Sequence, residues 1–313
     1  MNTYAQNDEK QRVAELVDGL ATLGFAVGRK PLMSVEDLNY LREFVDRIYE
    51  ARIGEHDVSS STPVVERLIG IDARVDRIFD SVLRDPTIRG VLEAIHGPDY
   101  KIWEISARYS IDGDPGLGIH QDAFGQMNLA LNLSELDDDC GVTSFIPRSH
   151  MLYRWSHRVS WARPSIGNRI AVPLRFGHSD FAFFLNKTWH GRTRNKGGTV
   201  KKIILIGTFP AGAKYLPKFE EKEIESIDPA CVELRRLVDF RVDTQRLESG
   251  EVSVVARDGT QGKPFSIELE DSKRYLFRSL PIFSKLAAME LIFRPARWAN
   301  RVLKALRLRQ SAA

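Results

Sequence analysis

The sequence predicts a mainly β fold with flanking helices, and three observations carry that prediction. From about residue 101 to residue 209 the chain breaks into short strand-like runs divided by Gly, Pro, Asn and Asp, the spacing of an antiparallel β architecture. Ahead of that region apolar residues recur at helical spacing. Hydrophobic residues make up 43% of 313, enough for a sizeable core.

Taken in order, Val13, Leu16, Val17, Leu20 and Leu23 form a helical stripe that Gly24 is placed to end, and Phe25 to Val27 reads as a short strand. Ser34 with Asp37 suits the cap of a second helix, whose apolar positions are Leu38, Leu41, Phe44, Val45 and Ile48. Val75, Ile78, Phe79, Val82 and Leu83 form another stripe, interrupted at Pro86. Lys101 to Ser110 reads as a strand. Met127 to Leu133 alternates Asn128, Ala130 and Asn132 with Leu129, Leu131 and Leu133, the period of a strand with two different faces. Ile170 to Leu174, Phe181 to Leu185 and Val200 to Phe209 are the clearest later strands.

Beyond about Ala211 the pattern is mixed. Ile224 to Val242 reads as helical, Val252 to Val255 and Phe265 to Leu269 as strands, and the end of the chain as basic and amphipathic. This divides the protein into residues 1–215, a β domain with buttressing helices, and residues 216–313, an α+β extension with a basic tail.

Composition narrows the function classes. A net charge of +3, from 45 basic and 42 acidic residues, implies no polyanionic partner, and no aromatic-studded basic groove suggests nucleic acid. The two cysteines, Cys140 and Cys231, form no CxxC cluster and read as free thiols of a reducing compartment. The N-terminus is polar where a secretory signal would be apolar, and no run approaches the ~18 apolar residues of a membrane span. The expectation is a cytoplasmic protein, with peripheral membrane contact open to the basic tail, where Arg294, Arg297, Arg301, Lys304, Arg307 and Arg309 alternate with apolar residues.

The chemistry is carried by His120-Gln121-Asp122 and, further on, by His190. Residues i and i+2 of an extended segment share a face, so His120 and Asp122 can meet one metal ion. Two imidazoles and a carboxylate are the ligand set of the facial triad that holds a non-haem Fe(II) and leaves positions open for chemistry. A bare HxD is weak, but two more patterns follow in order: Asp139 to His150, with Gly141 and Pro147-Arg148-Ser149-His150, and Gly177 to Gly191, with Thr188-Trp189-His190-Gly191.

Together these motifs resemble the phytanoyl-CoA dioxygenase family of Fe(II)- and 2-oxoglutarate-dependent oxygenases over about residues 16 to 210. The resemblance implies a double-stranded β-helix (jelly-roll, cupin-like) core with His120, Asp122 and His190 as both metal ligands and catalytic centre, 2-oxoglutarate and O2 as co-substrates, and a small-molecule substrate. Asp122 argues against halogenation, because related halogenases lack the carboxylate, and hydroxylation is the default outcome. The sequence departs from the family where Arg148 replaces a glycine, which suggests an altered turn or a substrate contact, and where Ser179-Asp180 replaces a Gly-Asp turn. It departs again at Lys201, which stands where the family has the arginine that pairs with the distal carboxylate of 2-oxoglutarate. Position favours Lys201 for that role, whereas the chemistry of a guanidinium fork favours Arg192 or Arg194, with Lys202 also open. Arg108 and Tyr109, with Trp103 and Ser106, on the strand before the triad, and Gln126, Asn128 and Thr143 on the strands after it, are candidates for the wall of a polar cavity. Arg108, Gln126 and Thr143 are also candidates for cofactor contacts, and His150 for a structural role with a substrate contact open. Two readings from other classes remain: a cupin-like protein that binds metal or a small molecule without turnover, and a membrane-peripheral interaction protein acting through its C-terminal helix.

Overall fold

The computed structural model describes residues 3–54, 63–122, 125–134, 141–151, 171–178, 180–196, 198–210, 218–239, 242–246 and 252–256. The basic tail, Phe265 to Leu269, Ile170 and Cys140 lie outside the described residues. Contacts divide the chain into residues 1–150 with 159–267, and residues 151–158 with 268–313; apart from Met151, every described residue belongs to the first unit.

That unit opens with α1 (Thr3–Leu23), which Gly24 ends in the left-handed region at φ +87°, where a side chain would be strained. β1 (Phe25–Gly28) leads to α2 (Val35–Arg52), whose Ser34 cap accepts a hydrogen bond from the Asp37 amide at 3.1 Å. After β2 (Val64–Val65) come α3 (Ala73–Arg84) and α4 (Pro86–His96). Pro86 therefore begins a helix as well as ending one: it sits in the first turn of α4, and the Asp85 carboxylate accepts from the Thr87 and Ile88 amides.

The strands follow as β3 (Lys101–Ser110), β4 (Leu117–His120), β5 (Met127–Asn132), β6 (Thr143–Phe145), β7 (Val172–Pro173), β8 (Phe181–Leu185), β9 (His190–Arg192) and β10 (Lys201–Phe209). They form two antiparallel sheets, one of six strands in the order β1-β8-β5-β10-β3-β2 and one of four in the order β4-β9-β6-β7. This is the β-rich core with flanking helices that the sequence predicts. Of the expected strand Ile170 to Leu174, Val172–Pro173 is paired, opposite Ser144 and Phe145.

Period-two alternation distributes the side chains of the larger sheet. Met127, Leu129, Leu131, Phe181, Phe183, Ile204 and Ile206 join the main hydrophobic core with α1 to α4. Ala130, Ala182 and Phe184 turn the other way and pack with Phe145 of the smaller sheet. Phe145 stacks on Phe25 at 4.9 Å and tilts against Phe184 at 5.1 Å, which ties the sheets together at one end of their interface.

Beyond the strands, the segment expected as one helix is two, α5 (Glu221–Ser226) and α6 (Val232–Val238), parted by Asp228-Pro229, and Val242 already opens the hairpin β11 (Val242–Arg246) and β12 (Val252–Ala256). Leu234, Leu237 and Val238 of α6 join the main core. The buried Asp80 of α3 accepts the Leu234 amide at 2.9 Å, so α3 caps the first turn of α6.

The Pro147–His150 turn corrects one expectation. Arg148 takes φ +66°, the left-handed conformation that suits glycine, so the turn keeps a glycine-type geometry; its side chain is exposed and does not line the cavity described below. Holding a non-glycine residue there costs about 1 kcal/mol. Arg148→Gly is expected to stabilise the protein by about that amount, read as a higher urea midpoint at unchanged slope; a lower midpoint would contradict it.

Candidate metal centre

Strand pairing brings the triad together. β4 and β9 place His120 directly opposite His190, and the Asp122 amide donates to the Asn186 carbonyl at 3.0 Å, which fixes the backbone just beyond β4. Gly191 lets these strands approach, because a Cβ there would lie 2.6 Å from the Leu117 carbonyl oxygen. Asp122 Oδ1 lies 3.5 Å from His120 Nε2, and Asp122 Oδ2 lies 3.3 Å from His190 Nε2. One donor atom from each residue falls within 4.8 Å of the others.

Both imidazoles are oriented from behind. His120 Nδ1–H donates to the Gly118 carbonyl at 2.8 Å and His190 Nδ1–H to the Thr188 carbonyl at 2.7 Å. Each Nε2 lone pair is thereby directed at the shared centre, as metal-binding histidines require. Burial lowers the His120 pKa, and the neighbouring His190 lowers it further against the opposing charge of Asp122. Burial works to raise the Asp122 pKa, but proximity to His190, His120 and Arg108 holds it below the usual carboxylate range. Neutral imidazole and ionised carboxylate are the forms that bind a metal.

The Pro-Arg-Ser-His and Trp-His-Gly motifs clamp this centre. Ser149 Oγ accepts the Trp189 amide at 2.8 Å and donates to the Ile146 carbonyl at 2.6 Å, while Thr188 Oγ1 donates to the Gly24 carbonyl at 3.0 Å. His150 has the expected structural place: buried, with Nε2–H directed at the Ala21 carbonyl at 3.1 Å.

A cavity of about 470 Å³ opens on the triad, a size typical of small-molecule sites. His120, Asp122 and His190 line it, and so do Arg108, Gln126, Thr143, Arg192 and Lys201. Arg194 does not line it and is exposed. Lys202 faces the other side of the sheet, paired with Asp46 at 2.6 Å. Arg192 is committed elsewhere, with Nη2 on Asp114 at 2.5 Å and Nη1 donating to the Tyr109 carbonyl. Lys201 is buried, shares the cavity face with Ile203 and Leu205, and lies opposite Ser110.

Sequence reasoning placed Trp103, Ser106 and Arg108 near the pocket but missed the charged residues Glu104 and Lys218 that join them in the wall. β3 and β10 change register between Gly207 and Thr208, leaving Trp103 as the extra residue of a bulge, and Trp103 and Glu104 both line the cavity. Glu104 accepts from Ser106 and Arg108 and pairs with Lys218 at 2.9 Å, and Lys218 also pairs with Glu66. Nothing in the local sequence joins Lys218 to Glu104, because the contact spans more than a hundred residues.

No family model matches the sequence, and no curated protein does. Solved structures share its fold. The α-ketoglutarate-dependent carbocyclase SnoK from nogalamycin biosynthesis is 17% identical with a TM-score of 0.51, covering 69% of this chain and 90% of its own. HygX from Streptomyces hygroscopicus, with nickel and 2-oxoglutarate bound, is 13% identical with a TM-score of 0.51 over 63% and 87%. The chain has the fold of the non-haem α-ketoglutarate-dependent enzymes. AviO1 from Streptomyces viridochromogenes Tue57 has it too, at 16% identity and a TM-score of 0.50, and the chain spans 98% of that protein but half the length of EvdMO1. The jelly-roll core implied by the motif resemblance is thus the fold found. In this fold the two sheets hold the triad and the cavity together, and among the described residues no helix is long and apolar enough to cross a membrane.

Proposed function

We propose that the protein is an Fe(II)- and 2-oxoglutarate-dependent oxygenase that oxidises a small organic molecule, with hydroxylation as the default outcome. The observation that carries this reading is the His120-Asp122-His190 set, tied back through both Nδ1 atoms and open to a cavity of ligand size. The donor set fits a ferrous ion, since it is the 2-His-1-carboxylate triad with room for further ligands. When bound, the iron couples O2 reduction to decarboxylation of 2-oxoglutarate, giving succinate, carbon dioxide and an oxidised substrate.

The chain's own residues supply placement. His120, Asp122 and His190 hold the metal. Lys201, buried at the start of β10, offers its ammonium to the distal carboxylate of 2-oxoglutarate, with Ser110 and Thr143 in the same wall. Removal from water strengthens that attraction. Arg192 acts one step back: its pairing with Asp114 braces the strand that carries His190.

Iron-dependent formation of succinate from 2-oxoglutarate tests the reading, and its absence in iron-loaded protein would refute it. Lys201→Ala is expected to weaken 2-oxoglutarate binding at least 30-fold, the effect of about 2 kcal/mol for a truncated buried charge pair, while Fe(II) affinity stays within twofold. Unchanged 2-oxoglutarate affinity would move the role to Arg108, whose Nε is buried without a partner among the described residues.

A further inference from the structure

Three amide side chains form a ladder in the cavity wall. Asn128 Nδ2 donates to Asn186 Oδ1 at 2.8 Å, and Asn186 Nδ2 donates to Gln126 Oε1 at 2.8 Å. All three line the cavity and are more than nine-tenths buried, with exposures of 7%, 2% and 6% for Asn128, Asn186 and Gln126. Asn186 is also the residue whose carbonyl accepts the Asp122 amide, so the ladder stands beside the metal centre.

The ladder uses one side-chain group of each end residue and leaves the other. Gln126 Nε2 and Asn128 Oδ1 have no partner among the described residues, and neither is sealed from the cavity. Reversing the direction of the ladder exchanges the two roles but not the outcome: one end offers a donor and the other an acceptor. A carboxylate or phosphate can satisfy only the donor, and an ammonium only the acceptor. A hydroxyl both donates and accepts, so adjacent hydroxyls satisfy both ends. The charges nearby favour a neutral partner as well, since Arg192 is matched by Asp114, Lys218 by Glu66 and Glu104, and Arg108 by Glu104.

We infer that Gln126, Asn186 and Asn128 are the substrate-reading element of the site, and that the substrate is a neutral molecule bearing neighbouring hydroxyl groups held beside the metal. This inference rests on the oxygenase reading for what then happens to the substrate, but the binding it describes does not. A site built on buried amides discriminates strongly, because a ligand without the hydroxyls leaves both ends unpaired in a dry wall.

The test is saturation-transfer NMR on the full chain loaded with Zn(II), with and without 2-oxoglutarate. The probes are methyl β-glucopyranoside, glucuronate and tetrahydropyran, which present a neutral hydroxylated ring, a charged one and a bare one. Binding of the glucoside in preference to the other two is expected. Gln126→Glu keeps an acceptor for Asn186 but removes the free donor, and Gln126→Met removes both; each is expected to cut glucoside binding at least fivefold in the folded protein with Zn(II) affinity retained, while the thermal midpoint falls most in Gln126→Met, which leaves the Asn186 amide unpaired. Equal binding of glucuronate or tetrahydropyran, no glucoside binding by the unaltered protein, or full binding by the folded variants would overturn the inference. So would loss of 2-oxoglutarate affinity in the Gln126 variants with glucoside binding intact, which would assign the ladder to the co-substrate. Failure of the unaltered protein to bind 2-oxoglutarate would count against the oxygenase reading alone, because glucoside binding is also measured without it.

Discussion

His190→Ala is expected to abolish succinate formation and to weaken Fe(II) binding by more than the 10–100-fold that loss of an outer-shell partner costs. Three features meet at this residue. In the proposed site it supplies one of three ligands, it lies opposite His120 across the β4–β9 pair, and its Nε2 lies 3.3 Å from Asp122 Oδ2. The ring also fills space between Phe145 and Phe184, with centroids at 5.8 and 5.4 Å, so truncation will lower the thermal midpoint. Metal titration of the folded variant at low temperature separates the two effects. His178→Ala, at an exposed position away from the cavity, should leave both metal binding and turnover intact. Full turnover in His190→Ala would refute the assigned triad.

Acid should destabilise the protein steeply below pH 6.5, through two histidines that take no part in the chemistry. Burial pushes the pKa of His96 and of His150 down to about 4 from 6.5, and each ring has a buried Nδ1 with no partner among the described residues. In both, the folded pKa lies below the unfolded one, so between these values the unfolded chain takes up a proton that the folded chain refuses. The stability is complete above pH 6.5 and is lost as pH falls towards 4. At pH 5 the loss is about 2 kcal/mol for each histidine. Urea unfolding of the chelated protein at pH 7 and pH 5 measures it, and His96→Gln should remove its share of the difference. An unchanged difference in that variant would show that His96 is protonated in the folded state.

How much of this was legible beforehand depends on whether the signal was local. The alternation of Asn128, Ala130 and Asn132 with Leu129 and Leu131 already separated a cavity face from a core face, because a strand covered on both sides keeps its period. His120 and Asp122 were legible for the same reason, and the Ser-His and Trp-His-Gly motifs placed His190. The sequence order did not show why those motifs go together; the Ser149–Trp189 hydrogen bond does. Pro86 was read as a stop, although Ile88, Val91 and Leu92 after it carry the helical spacing of α4. The helix expected over 224–242 ignored Asp228-Pro229, which divides it. The bulge at Trp103 and the pairing of Glu104 with Lys218 could not be read, since both depend on which strand lies alongside. Asn186 was passed over because a turn residue has no periodicity to betray the face it serves.

The most direct measurement is an anaerobic titration of the Fe(II)-loaded protein with 2-oxoglutarate, followed by visible absorption. The account predicts a metal-to-ligand charge-transfer band that saturates with 2-oxoglutarate, weakens in Lys201→Ala and is absent in His190→Ala. Iron bound to the triad with no such band at saturating 2-oxoglutarate would contradict it, and would leave a jelly-roll protein that binds metal without oxidising anything.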